Sequence, residues 1–219
     1  MMTPWASDIS GQAAFHVKQL PCSFPPQSTI IEDIKELNVG VDGKQLEIFG
    51  KFAGLLLERS AKINLIGPRE RGRLWRRHIL ESIQYALLLD KSKAVVDIGS
   101  GNGFPGMILA IMGYRMILLE PRRKRHLFLD YASYELGLDN CTTVPLRLEN
   151  FNPEEEVKQF VARAVAPLAL LLARIAEIAG EGSILVYRQP EISGNEEFES
   201  YVELNCPPLD RNGFLVQYR

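Results

Sequence analysis

The segment Val95-Val96-Asp97-Ile98-Gly99-Ser100-Gly101-Asn102-Gly103-Phe104-Pro105-Gly106 constrains the chain more than any other. A short buried-strand pattern runs straight into three glycines at alternate positions. Residues 107–112 then read as a short helix ending near Gly113. Glycine admits positive φ and lets a ligand approach the backbone. Strand, glycine loop and helix in that order open a doubly wound sheet, where the loop makes a shelf for a nucleoside-containing cofactor. Seventeen residues past Gly103 stands Glu120, directly after a second strand pattern at 116–119. A carboxylate there can accept hydrogen bonds from both ribose hydroxyls. Two details favour S-adenosyl-L-methionine over a nicotinamide dinucleotide. Asp97, two residues before the first glycine, can meet a cationic amino-acid portion. The Gly-x-Gly-x-Gly spacing also differs from the GxGxxG that clears a pyrophosphate. The plainer alternative is a tight strand-to-helix turn with solvated acids.

The rest of the chain fits that opening. Residues 1–28 read as a loosely attached leader and 29–90 as a helical part. Leu46, Phe49, Phe52 and Leu56 recur at three- and four-residue spacing, as do Ile79, Ile83 and Leu87. Gly67-Pro68 separates the two sets. The core is assigned to 91–219. After the first two strands, Pro121 is placed at the first position of a helix that runs to Gly137. Further strands are expected at 141–144, 160–165 and 183–187, a helix at 167–179, and two last strands within 198–219 around the turn at 210–213. Strands alternating with helices predict a Rossmann-like α/β fold, with a mainly parallel sheet flanked by helices and an N-terminal helical extension.

Composition excludes some functions. Lys and Arg number 25 against 27 Asp and Glu, a net charge of −2, so the chain is not uniformly basic. Cys22, Cys141 and Cys206 form no CxxC pair, and a reducing cytoplasm is the expected compartment. The apolar stretch 164–180 carries Pro167, Arg174 and Glu177 and is too short to span a bilayer. His16 and His126 have no partner pattern, so no metal is expected. Ser100 lacks the GxSxG setting because residue 98 is Ile.

Positive charge is nevertheless clustered. Residues 69–77 hold five arginines and one acid, and Arg122-Arg123-Lys124-Arg125 follow Glu120. A basic rim on the cofactor side suits a polyanion such as RNA, while a solvated helix face is the bland reading. His78 is a substrate contact or an anchor for the helical part, with the anchoring role favoured.

Five segments together resemble the small-subunit ribosomal RNA guanine-N7 methyltransferase family, also called glucose-inhibited division protein B. They are Asn64-Leu65-Ile66; Arg77-His78-Ile79-Leu80-Glu81-Ser82; the loop from Asp97 to Gly106; Leu118-Leu119-Glu120 with Lys124-Arg125 and Phe128-Leu129; and Ala162-Arg163-Ala164. The resemblance implies a class I methyltransferase whose S-adenosyl-L-methionine is surrounded by Gly99 with Phe104, Glu120, Leu148, Glu149 and Arg163, to which the loop's own pattern adds Asp97, Gly101 and Gly103. It implies 16S rRNA or the small ribosomal subunit as partner. Arg76, Arg77, Arg122, Arg123, Lys124, Arg125 and Arg188 are the candidate RNA contacts. Arg163 and His78 are candidates for orienting the base or its phosphate, with no catalytic residue certain. A cytoplasmic monomer without membrane attachment is expected. The chain departs from the family pattern in having Glu81 for the usual aspartate, Lys158-Gln159-Phe160 before the Arg-Ala segment in place of an acid, and Arg188-Gln189 in place of Lys-Gly. These departures are expected to fall on the substrate side. The competing readings are a divergent methyltransferase with a small-molecule or protein substrate, and a cofactor-binding module without activity.

Overall fold

The structure, a computed structural model, describes residues 24–37, 39–163, 165–192, 197–205 and 208–219. Cys22, Cys206, His16, Ala164 and residues 1–23 of the expected leader lie outside them.

Helix α1 (Gln27–Glu36) and helix α2 (Gly43–Ser60) open the described chain. A capping box starts α2: the Asp42 carboxylate accepts the Gln45 N–H at 2.8 Å, and the Gln45 side chain accepts the Asp42 N–H at 2.9 Å. The predicted stripe of Phe49, Phe52 and Leu56 is fully buried. After Gly67 come α3 (Pro68–Arg71), a π-helical turn over Leu74–Ile79, and α4 (Leu80–Gln84). The chain then tightens into a 3₁₀ turn, Tyr85–Leu88. That change of winding shifts the side-chain phase. Leu87, expected on the apolar face with Ile79 and Ile83, is 40% exposed as a result.

The strands are β1 (Val95–Ile98), β2 (Met116–Leu119), β3 (Cys141–Val144), β4 (Gln159–Ala162), β5 (Ile184–Gln189), β6 (Ser200–Glu203) and β7 (Phe214–Tyr218). They form one sheet in the order β3-β2-β1-β4-β5-β7-β6. The first five run parallel, and β7 is antiparallel to both β5 and β6. The connecting helices are α5 (Gly106–Ile111), α6 (Arg123–Leu136) and α7 (Leu168–Ala179). The Rossmann-like expectation therefore holds, including the final pair of strands.

Strand parity divides the core. Val95, Val161 and Val186 join the buried side chains of the N-terminal helices, α5 and α6 in one continuous cluster. Val96, Ile98, Phe160, Ala162 and Leu185 face the other way, onto α7. The helical part, expected to pack on one side of the sheet, shares its buried cluster with one sheet face.

Two of the boundaries that differ from expectation lie beside the switch point of the sheet. Helix α6 begins at Arg123 rather than Pro121, because the Glu120 side chain takes the Arg122 N–H at 2.7 Å and holds that residue outside the helix. Strand β4 stops at Ala162. Within the departing segment Lys158-Gln159-Phe160, Gln159 has a structural role. Its buried amide donates to the Asp90 carbonyl at 2.8 Å and accepts the Asp90 N–H at 2.7 Å. An ionised carboxylate has no proton to complete that pair.

Candidate functional site

The strand order reverses between β1 and β4, and a doubly wound sheet opens a crevice at such a point. Here the loops after β1, β2, β3 and β4 enclose a cavity of about 690 Å³. Seven of the nine residues expected to surround the cofactor line it: Gly99, Gly101, Phe104, Glu120, Leu148, Glu149 and Arg163. A second cavity, of about 720 Å³, lies between α7 and β5 and is lined by none of them.

Glu120 is 3% exposed and clamps the shelf. One carboxylate oxygen accepts the Gly101 N–H at 2.9 Å and the other accepts the Arg122 N–H at 2.7 Å. Each oxygen keeps further lone-pair capacity toward the cavity. Gly99 has φ +67°, and a Cβ there would stand 2.8 Å from a Val165 methyl. No side chain fits that position without strain. Leu148 is buried in the wall, and its carbonyl accepts from Arg174 Nε at 3.3 Å.

Two expected ligands of the cofactor point elsewhere. Asp97 is 1% exposed and does not line the cavity. Like Val95, it lies on the sheet face toward the N-terminal helices, where its carboxylate accepts the Gly106 N–H at 3.0 Å. Burial drives Asp97 up to about 7, against the opposing pull of that hydrogen bond. Gly103 also faces that layer: at φ +100°, a Cβ would sit 2.7 Å from both Met107 and Phe52. Its lack of a side chain serves helix packing.

Arg163 reaches the cavity from the end of β4. One Nη stands 3.4 Å from Glu81 and the other 3.1 Å from His78 Nδ1. The guanidinium carbon lies 5.5 Å from the centre of the Phe104 ring. His78 is buried behind Arg163, and its Nε2 stands 3.0 Å from Glu70. Burial and the adjacent Arg163 charge push the His78 imidazole down to about 4. The neutral ring therefore accepts from Arg163 at Nδ1 and donates to Glu70 from Nε2. Its placement fits the anchoring role; a direct substrate contact does not.

Comparison with known proteins decides the family. The model of the family described as "GidB: rRNA small subunit methyltransferase G" matches residues 45–205. The chain belongs to that family. It is 34% identical to "Ribosomal RNA small subunit methyltransferase G" of Clavibacter sepedonicus over 163 residues, which covers 74% of this chain and 77% of the relative. With the protein of the same name from Laribacter hongkongensis it shares 31% identity over 194 residues, or 84% and 93% of the two chains. The solved RNA methyltransferase of Salinibacter ruber shares the fold, with a TM-score of 0.51, 16% identity, and coverage of 64% of this chain and 88% of that one.

Around this family site the two basic runs behave differently. Arg122, Arg123 and Lys124 are exposed, Arg125 is half-buried, and none of the four is ion-paired to a described residue. Arg122 and Arg125 line the cavity. In the first run three guanidiniums are paired with acids of this chain, although Arg73 and Arg76 stay exposed. Arg73 meets Asp210 at 2.8 Å, Arg76 meets Asp33 at 3.4 Å, and Arg77 meets Glu70 at 3.1 Å. Arg188, expected as an RNA contact, has a side chain only 10% exposed. It stands 3.5 Å from Glu81 and donates to the Asn212 carbonyl at 2.9 Å. Its place is in the protein interior.

Sequence reasoning passed over Arg147 and Arg174, which also line the cavity. Arg174 donates to the carbonyls of Leu148 and Phe151 and so fixes the loop after β3. The available signal was an arginine within the apolar run of α7. Among the described residues no group of three metal-ligating side chains occurs, and no helix is long and apolar enough to cross a membrane.

Proposed function

We propose that this chain transfers a methyl group from S-adenosyl-L-methionine to N7 of a guanine in 16S ribosomal RNA. Family membership supports the RNA substrate. The observation that carries the donor assignment is Glu120 clamped to Gly101 at the switch point of the sheet, beside a glycine shelf that a Cβ would fill. Gly99, Gly101, Phe104, Glu120, Leu148, Glu149 and Arg163 are the residues that would hold the donor. When bound, that donor supplies an electrophilic methyl group on a sulfonium.

Guanine N7 carries a free lone pair, so no side chain has to remove a proton from it. The site agrees with that requirement. Asp97 is sealed beneath the shelf, Glu120 already accepts two backbone N–H groups, and His78 is buried behind Arg163. What the chain contributes is placement. Arg163 supplies a fixed cation beside the donor cavity, suited to the guanine O6 edge or the flanking phosphate. Arg122, Arg123, Lys124 and Arg125 hold the RNA backbone, and the target base must be unstacked to enter.

Small ribosomal subunits from cells lacking the protein should gain a methyl group on guanine N7 when given purified protein and donor, as read by mass mapping of the RNA. In Glu120→Gln the amide can no longer accept both N–H groups. S-adenosylhomocysteine should then bind roughly 10- to 100-fold more weakly by calorimetry. Unmethylated subunits would overturn the substrate assignment, and undiminished heat in Glu120→Gln would overturn the donor site.

A further inference from the structure

The Glu81 carboxylate, on α4, gathers three arginines from distant parts of the fold and is 2% exposed. Arg211, from the loop before β7, grips it with a two-point fork, Nε at 2.8 Å and Nη2 at 2.7 Å. Arg163 at 3.4 Å and Arg188 at 3.5 Å stand on the same two oxygens. Burial would push Glu81 upward, but the hydrogen bonds and charges of these arginines hold it below the ordinary carboxylate range. Of the three cations only Arg163 lines the donor cavity.

The other contacts of Arg163 come from the same helical segment or from the glycine loop. His78 faces its second Nη, and Phe104 lies beside its guanidinium. The Tyr85 hydroxyl donates at 3.3 Å to the carbonyl of Ala162, the residue just before it. Arginine has many rotamers, and apart from Phe104 the groups that fix this one, Glu81 and His78, do not line the cavity.

We propose that Glu81 is a positioning residue for methyl transfer. It sets the Arg163 guanidinium against the donor cavity, and by holding Arg211 and Arg188 in the same carboxylate it makes the C-terminal hairpin part of that support. The proposal rests on the functional reading above, in that methyl transfer is the reaction it supports. The departures at Glu81 and Arg188 then have one explanation. They meet each other inside the protein, where one carboxylate takes the two-point fork of Arg211 and stands within 3.5 Å of both Arg163 and Arg188.

The test uses Glu81→Gln and Glu81→Asp with two readouts. In histidine-labelled protein at neutral pH, Glu70 holds the His78 Nε2–H in every variant, so the Nδ1 shift reports whether that nitrogen accepts from Arg163. Glu81→Gln should move the Nδ1 signature toward that of a nitrogen without a donor, and Glu81→Asp should keep it. On ribosomal subunits, Glu81→Gln should lower kcat roughly 100-fold. Its KM for the donor should stay within about threefold of wild type, since binding and positioning separate in those two constants. Glu81→Asp should restore kcat to within about fivefold of wild type. Wild-type kcat in Glu81→Gln, or an unchanged His78 signature, overturns the proposal. So does an equal loss of kcat and donor affinity in both variants, which marks a structural clamp alone. If Glu81→Gln does not fold, Arg211→Met replaces it. That variant removes the fork but leaves the carboxylate, and kcat should fall roughly tenfold at unchanged donor KM; wild-type kcat there also overturns the proposal. Wild-type protein that leaves the subunits unmethylated sinks the functional reading instead, and the His78 shifts still decide whether Glu81 positions Arg163.

Discussion

Asp97 and His78 are both buried on the helical side of the sheet, and they respond to acid in opposite senses. Burial raises Asp97 from 3.8 to about 7. Its contribution to stability is therefore full below pH 3.8 and is lost as pH rises through about 7. Burial and Arg163 lower His78 from 6.5 to about 4, so its contribution is full above pH 6.5 and is lost as pH falls through about 4. Glu70, lowered on balance by His78 and Arg77 against its own burial, adds to the loss in acid. Between pH 4 and 6.5 the aspartate and the histidine offset each other. Asp97→Asn removes the aspartate's share, and denaturant titrations should show stability falling more steeply with acid across that window than in the wild type. An unchanged slope would mean that Asp97 ionises normally. Glu120 and Gly99 were legible in the sequence because their roles follow from position at the end of a strand. Asp97 was not, because the sheet face onto which a strand residue points depends on which layer covers it.

At the scale of elements, two stretches of similar charge have different fates. The start of α6 presents Arg122, Arg123 and Lys124 to solvent without ionic partners among the described residues. The turn leading into α4 binds its arginines to Asp33, Glu70 and Asp210. Filter binding at rising salt separates them. Arg122→Ala and Arg123→Ala should each reduce the salt slope of RNA binding by about 1, uniformly across sequences. Arg73→Ala should leave that slope alone and lower stability modestly, since its pair with Asp210 is partly exposed. A slope unchanged by the α6 variants would remove them from the RNA surface. Local sequence shows a run of arginines but not the acid that neutralises it. Asp33 and Asp210 come from the two ends of the described chain, so only the assembled fold distinguishes a binding face from an internal clamp.

For the whole molecule, the alternation of strands and helices made the parallel sheet legible, along with the shelf at its switch point. The support behind the shelf was hidden. Gln159, Glu81 and Arg188 looked like changes on the substrate side, whereas each makes its contacts inside the protein. Glu81 and Arg211 are 130 positions apart in the chain. Closing so long a loop costs entropy before the contact returns anything, so the pair is expected to form late in assembly. During refolding from denaturant, enzymatic turnover should recover after secondary structure and after product binding. On the proposed support, an arginine braced from a hairpin so distant in sequence leaves the enzyme idle until both flanks of the sheet have joined.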